Sequence, residues 1–281
     1  MPMTISAGSM VRYSYADLVD ATAYAGCTAI SVTKRLLHVA ATREGLSVAD
    51  MLSMLSDRGL HVAECEGTPH WLSDQATPDP KVFGLDEIIE LSVALQAKGF
   101  VVYHDDRPGG SIETFTRDFA AVCERAAEHG LVVAIEFLPW SRIPTFADAV
   151  TIVQGAGRPN GRIVFDCWHY SHGPTGELSV TPEQAALLHC VQVDDARPPV
   201  SDDILVETMM GRLIPGTGTL DLPHLLGALD AAGAACPVAV ESYDETVSYL
   251  DARAYAELLV SATRKLLADS ARNTGSARNT G

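Results

Sequence analysis

Eight short runs of β-branched and small apolar residues alternate without a break with eight longer segments of helical period, from residue 4 to residue 269. No other property of the chain narrows its fold so far. The strand-like runs are "TISAGSM" (4–10), "TAISV" (28–32), "HVAECEG" (61–67), "GFVVYHD" (99–105), "LVVAIEFL" (131–138), "RIVFDCWH" (162–169), "HCVQVDD" (189–195) and "PVAVESY" (237–243). The helical segments are 14–26, 47–59, 84–99, 111–130, 145–157, 181–188, 221–233 and 251–269. The first two close on a glycine, the residue that most readily ends a helix in the left-handed conformation. A doubly wound open sheet also alternates strand and helix, but eight repeats in about 270 residues match a closed (β/α)8 barrel of the α/β class. No Gly-x-Gly-x-x-Gly follows a strand, so a dinucleotide site lacks its turn. One catalytic domain over residues 1–269 is expected. The polar, repetitive end (270–281, with "ARNTGSARNTG" over 271–281) is expected to be a disordered tail or an expression remnant.

At 281 residues and 47% apolar composition, the chain can bury a large core. A formal net charge of −16 argues against a nucleic-acid partner, which calls for a concentrated basic surface. The same charge disfavours anionic membranes. Six cysteines (Cys27, Cys65, Cys123, Cys167, Cys190, Cys236) include no Cys-x-x-Cys pair and read as free thiols in a reducing compartment. The opening "MPMTISAGSM" has neither the charged region nor the apolar core of a secretory leader. No run approaches the roughly 20 apolar residues of a membrane span. A cytoplasmic location is expected.

In such barrels, function gathers at the C-terminal mouth of the strands. Four late strands carry polar groups where packing alone would place apolar ones: Glu136, Asp166, Gln192 and Glu241. Side chains alternate along a strand with period two. By that parity, Glu136 shares a face with Ala134 and Leu138, and Glu241 with Ala239. Cys190, Gln192 and Asp194 share another face, opposite His189, Val191, Val193 and Asp195. Valines suit the layer beneath helices, so the Cys190–Gln192 face should look inward and His189 should not. Three converging carboxylates raise one another's pKa, at about 1.4 kcal/mol per unit, and a divalent cation removes that penalty. An all-oxygen donor set suits Mg²⁺ or Mn²⁺ better than Zn²⁺. The plainer alternative is that these acids cap the helices that follow them.

The succession "IEFLPW", "DCWHYSHG", "VQVDDA", "RLIPGTGTLDL" and "VAVESY", within residues 4–268, resembles the xylose isomerase-like TIM barrel superfamily. That superfamily takes in sugar and sugar-phosphate isomerases and epimerases, inosose dehydratase, dehydroshikimate dehydratase and endonuclease IV. The resemblance implies that Glu136, Asp166, Gln192 and Glu241 hold a metal. Gln192 stands where many members have histidine and is similar to the inosose dehydratase branch. Its amide oxygen is a harder donor than imidazole, which favours Mn²⁺ or Mg²⁺ among divalent ions. His169 matches the histidine of an Asp-x-x-His motif that contacts a substrate oxygen. Arg212 matches an arginine aimed at substrate hydroxyls in the epimerases. Thr217 departs from the usual Pro-Gly-Glu-Gly of the loop that follows. Trp168 and Trp140 would wall the pocket, and His104 would touch substrate. Glu64, Glu66, His172 and His189 have no motif to fix a role.

The chemistry implied is proton abstraction next to a carbonyl, with the metal chelating that carbonyl and the adjacent hydroxyl and stabilising the enediolate. Glu136 or Glu241 would be the base and the other could return the proton. The first expectation is an isomerase or epimerase of a small polyhydroxylated carbonyl compound (a sugar, a cyclitol or a related keto compound). Dehydration of the inosose or dehydroshikimate type uses the same early steps. A repair endonuclease would need a basic groove and more histidines, and a barrel that only binds would need no base at all. "PGTG" could serve as a phosphate-binding turn, but few lysines or arginines accompany it, so an unphosphorylated substrate is expected. The resemblance also allows a homo-oligomer.

Overall fold

A computed structural model describes residues 2–73, 80–105, 110–174, 176, 178–244, 247 and 249–278, with side chains through Ser270. Eight parallel strands close on themselves in the order β1-β10-β7-β6-β5-β4-β3-β2. They are β1 (Met3–Ile5), β2 (Ala29–Thr33), β3 (His61–Thr68), β4 (Gly99–Tyr103), β5 (Val132–Glu136), β6 (Gly161–Asp166), β7 (Leu188–Val193) and β10 (Val238–Val240). Two further strands, β8 (Asp195–Ala196) and β9 (Arg212–Leu213), form a small antiparallel ribbon above the mouth. The chain is thus the single (β/α)8 barrel that the alternation predicts, with each of the eight predicted strands in place; six end earlier than expected, and β2 and β3 run one residue further.

Local chemistry explains why the helices begin where they do. Ser14, Ser47 and Thr181 each accept a bond from the backbone N–H three residues on, and Asp17, Asp50 and Gln184 reach back to the cap. Two orphaned donors are satisfied at each of these ends. Helix Ile112–Ala127 buries Phe115, Phe119, Val122, Cys123 and Ala126 against the barrel, a stripe at helical spacing. Short helices over Lys34–Thr42, Cys167–His172 and Ile204–Met210 were not predicted. Helix Ala252–Arg278 runs past Asp269 into the stretch read as a tail, whose side chains lie outside the described residues. Among the described residues, no helix is long and apolar enough to cross a membrane.

The core has two shells. The larger lies between strands and helices, and a small inner group of Val101, Ala134, Val164 and Cys190 fills the lumen. Ala134 and Cys190 therefore face inward, as parity predicts, and residues two further along their strands face the mouth. Parity fails at two irregularities. The β2–β3 register shifts between Val62 and Cys65, so Val62 packs outside while Glu64 and Glu66 turn in. The β6–β7 register shifts between Leu188 and Cys190, and His189 leaves the outward face. Its Nε2 lies 3.0 Å from Glu64 Oε2. As β3 and β7 stand opposite one another in the closed barrel, the pair meets across the lumen.

Candidate active site

Strands β10, β7, β6 and β5 are consecutive staves, so their polar residues line one continuous arc of the mouth. Glu136 and Asp166 are the last residues of β5 and β6. Gln192 pairs with Asp166 on one side and Ala239 on the other, and Glu241 lies two residues beyond Ala239. Asp166 is both cap and site residue: its Oδ1 accepts the His169 N–H at 2.8 Å, while Oδ2 is turned to the mouth. The helix that starts at Cys167 is what lifts His169 into the site. His169 Nε2 lies 3.3 Å from Glu136 Oε1 and 3.8 Å from Asp166 Oδ2. Glu136, Asp166 and His169 offer ligand atoms all within 4.8 Å of one another, a group able to hold a metal ion.

Gln192 is 3% exposed, and its Oε1 has no hydrogen-bond partner among the described residues. Burying an amide oxygen without a partner costs about 1–3 kcal/mol, and a cation at the mouth would remove that cost. The carboxylates of Glu136 and Asp166, the His169 imidazole and the Gln192 amide oxygen therefore fit a divalent ion, whereas the Glu241 carboxylate, expected among the ligands, lies outside the group that converges.

The acids are not without a counter-charge, which revises the electrostatic premise drawn from sequence. Arg212, 2% exposed, is carried over the mouth by the β8–β9 ribbon. Its Nη1 donates to Asp166 Oδ2 at 2.7 Å and to Asp194 Oδ2, and it lies 3.6 Å from Glu241 Oε2. Nη2 lies 3.2 Å from His169 Nε2. Trp168 and Tyr243 cover the guanidinium, each ring centroid 5.3 Å away. Arg212, read as a substrate-hydroxyl contact, is thus occupied by internal partners. Trp168, expected to wall the pocket, lies behind the arginine. It is fully buried, pressed between Arg212 and a His172 ring stacked at 3.8 Å, so it backs the arginine. Trp140 is half-buried with its ring 5.2 Å from that of His169, at the edge of the site. His104 is buried edge-on to Phe115, its Nδ1 accepting the Arg142 N–H at 3.4 Å.

Three groups that no motif marked complete the far side. Tyr243 donates to Glu241 Oε1 at 2.9 Å, and Ser6 Oγ lies 3.1 Å from the same oxygen and 3.0 Å from Glu66 Oε1. Ser31 donates to Glu66 as well. Gly8 is required beside them, because a Cβ there would lie 2.7 Å from Tyr243 Cε1 and 3.1 Å from Glu241 Oε1. Burial pushes the Glu241 carboxyl up to about 7, with Arg212 opposing and Glu136 and Asp166 reinforcing the rise. Burial, and then Glu241 itself, push Glu66 well above the usual range. Against the same burial, Arg212 and His169 hold Asp166 below it, whereas Asp194 is driven well above by desolvation.

The adjacent aspartates 194 and 195 divide their work. Asp194 faces Arg212; Asp195 accepts the N–H groups of Ala196, Gly216, Gly218 and Leu220 at 2.8–3.0 Å. The "PGTG" amides that a phosphate would need are already taken by this carboxylate, and Thr217 closes its own turn onto the Ile214 carbonyl at 2.7 Å.

Residues 19–266 match the model of the xylose isomerase-like TIM barrel family. The chain is 29% identical over 124 residues to an inosose isomerase of Halalkalibacterium halodurans, a match covering 43% of this chain and 42% of that one. It is 30% identical over 132 residues to a 3-dehydroshikimate dehydratase of Pseudomonas aeruginosa, covering 46% of this chain and 20% of that one. The chain thus spans under half the length of either relative. The solved IolI protein with a bound zinc atom superposes with a TM-score of 0.75 at 19% identity, over 96% of this chain and 99% of that one, and shows the shared fold. With its closed barrel, its arc of acids at the mouth and a family match across most of its length, this chain belongs to the xylose isomerase-like TIM barrel family.

Proposed function

We propose that this chain removes and returns a proton next to the carbonyl of a small polyhydroxylated compound (a sugar, a cyclitol or a related keto compound), completing the turnover as an isomerisation or epimerisation. The observation that carries this reading is the buried convergence of Glu136, Asp166, His169 and the unpartnered Gln192 amide oxygen, with Glu241 across the mouth. Mn²⁺ or Mg²⁺ suits the oxygen-rich set, and a His169 contact leaves room for zinc, the ion bound by IolI. A bound divalent ion would polarise the substrate carbonyl and make the neighbouring C–H more acidic.

The chain's own groups would do the rest. Glu136 and Glu241 lie three staves apart and can address a substrate from two sides, one taking the proton and the other returning it. Tyr243 and Ser6 orient the Glu241 carboxylate. Trp140 would shield the reacting face from water, and the commitment of the "PGTG" amides to Asp195 favours an unphosphorylated substrate.

One observation favours a second outcome. His169 stands beside Glu136 as a third acid–base group at the reacting position. Moving one proton between two glutamates does not require it; protonating a departing hydroxyl does, and the dehydratase relative points the same way. Incubation with Mn²⁺ and ketoses or inososes in D₂O separates the two. Deuterium at the α-carbon with the product otherwise of unchanged mass supports isomerisation or epimerisation, and loss of 18 mass units (about one water) supports dehydration. Absence of exchange and of product across such a panel contradicts both.

A further inference from the structure

The residue most out of keeping with a cation site is itself a cation. Arg212 is 2% exposed, and every side of its guanidinium is taken. Trp168 covers one face and Tyr243 packs on it too, each centroid at 5.3 Å. Thr208 accepts Nε–H through its carbonyl and Nη2–H through its hydroxyl, both at 3.2 Å. Trp168 is in turn held by His172. A side chain fastened at so many points does not swing aside, so a divalent ion entering the mouth would find it in place. Asp166 Oδ1 is engaged by the His169 N–H, which leaves Oδ2, the oxygen nearest Arg212, as the one facing the mouth.

We propose that Arg212 is a permanent counter-ion built into the metal site: it holds the acid cluster together when no metal is bound, and its charge weakens the grip on the metal when one is. The inference rests on the metal-site reading above. A unit positive charge a few ångström from a divalent ion, in a buried setting, opposes binding strongly enough to change affinity tenfold or more. Arg212 is a positioning residue in this role.

The test measures binding of Mn²⁺ alone by calorimetry, and thermal unfolding with and without Mn²⁺, in the wild type, Arg212→Met and Arg212→Lys. Arg212→Met is expected to bind Mn²⁺ at least about tenfold more tightly and to unfold at lower temperature when metal-free, with Mn²⁺ restoring most of the loss. Arg212→Lys, which keeps the charge, should bind within about threefold of the wild type. If Arg212→Met is unfolded without metal but folds in Mn²⁺, the proposal is supported, since the ion has replaced the guanidinium. Unfolding in both conditions overturns it, as does unchanged or weaker Mn²⁺ binding in a folded Arg212→Met. Should the wild type itself bind no divalent ion, the metal-site reading fails instead, and the two failures are told apart.

Discussion

Gln192 shows how much one buried atom can say. Its Oε1 has no partner among the described residues, although 3% exposure keeps it from bulk water. Replacing it with leucine removes the unsatisfied group, so metal-free Gln192→Leu should be no less stable than the wild type and up to about 1–3 kcal/mol more so, while Mn²⁺ binding weakens. Thermal unfolding and calorimetry read the two effects separately; a large loss of metal-free stability would mean that the amide is structural. The sequence pointed to this residue because an amide in a valine-rich strand breaks a simple pattern. Glu136, Asp166 and Glu241 stood out for the same reason. The pairing of Arg212 with Asp166 and Asp194 was not legible, because nothing in a linear chain says that the β8–β9 ribbon folds the arginine back onto them. Ser6, Ser31 and Tyr243 were missed because hydroxyl groups at strand ends are common and carry no spacing of their own.

Elements legible from periodicity were the long ones. Helices Cys167–His172 and Ile204–Met210 escaped because they are too short to display a stripe, and Lys34–Thr42, which buries Leu36, Leu37 and Ala40, because it follows β2 without a break. The bulges in β3 and β7 escaped because period-two alternation carries no mark where it skips, and that skip reversed His189. Where loops are fastened by a single carboxylate, the consequences can be measured. Asp195→Ala strips the acceptor from three N–H groups of the "PGTG" loop and its exit and should cost about 2–4 kcal/mol, with faster hydrogen exchange at Gly216, Gly218 and Leu220. Unchanged exchange at those amides would contradict the assignment. Asp118, on helix Ile112–Ala127, ties down the loop after β3 by accepting the Ser73 N–H and hydroxyl, both at 2.9 Å. Burial alone would raise its pKa, but the bonds from Arg117 and Ser73 hold it below the ordinary value. Its contribution is therefore present above the unfolded pKa of about 3.9 and is lost as pH falls through the folded value. Asp118→Ala should cost about 1–2 kcal/mol at neutral pH, with the deficit fading in acid titrations of stability. A deficit that does not depend on pH would point to packing instead.

On the scale of the whole molecule, four consecutive staves bring acids and an amide to one mouth, the helix after β6 adds an imidazole, and a buried arginine offsets part of their charge. Ligand binding to the folded state alone stabilises it by mass action. Mn²⁺ at 100 times its Kd should add about 2.7 kcal/mol, seen as a rise of a few degrees in Tm that a chelator reverses. A Tm indifferent to both metal and chelator would argue against a resident ion. The alternation of strand and helix also suits an open doubly wound sheet, and it was the count of eight repeats in this length that pointed to the barrel. The reaction was less readable, because isomerisation, epimerisation and dehydration begin with the same proton.

The central claim is that the mouth of this barrel clasps a divalent cation between its acids and Gln192, and anomalous diffraction from crystals soaked in MnCl₂ tests it most directly. One strong manganese peak is expected in contact with Gln192 Oε1 and with carboxylate oxygens of Glu136, Asp166 and Glu241. A mouth without a peak, its acids still paired to Arg212 and the Gln192 amide turned away, would contradict it.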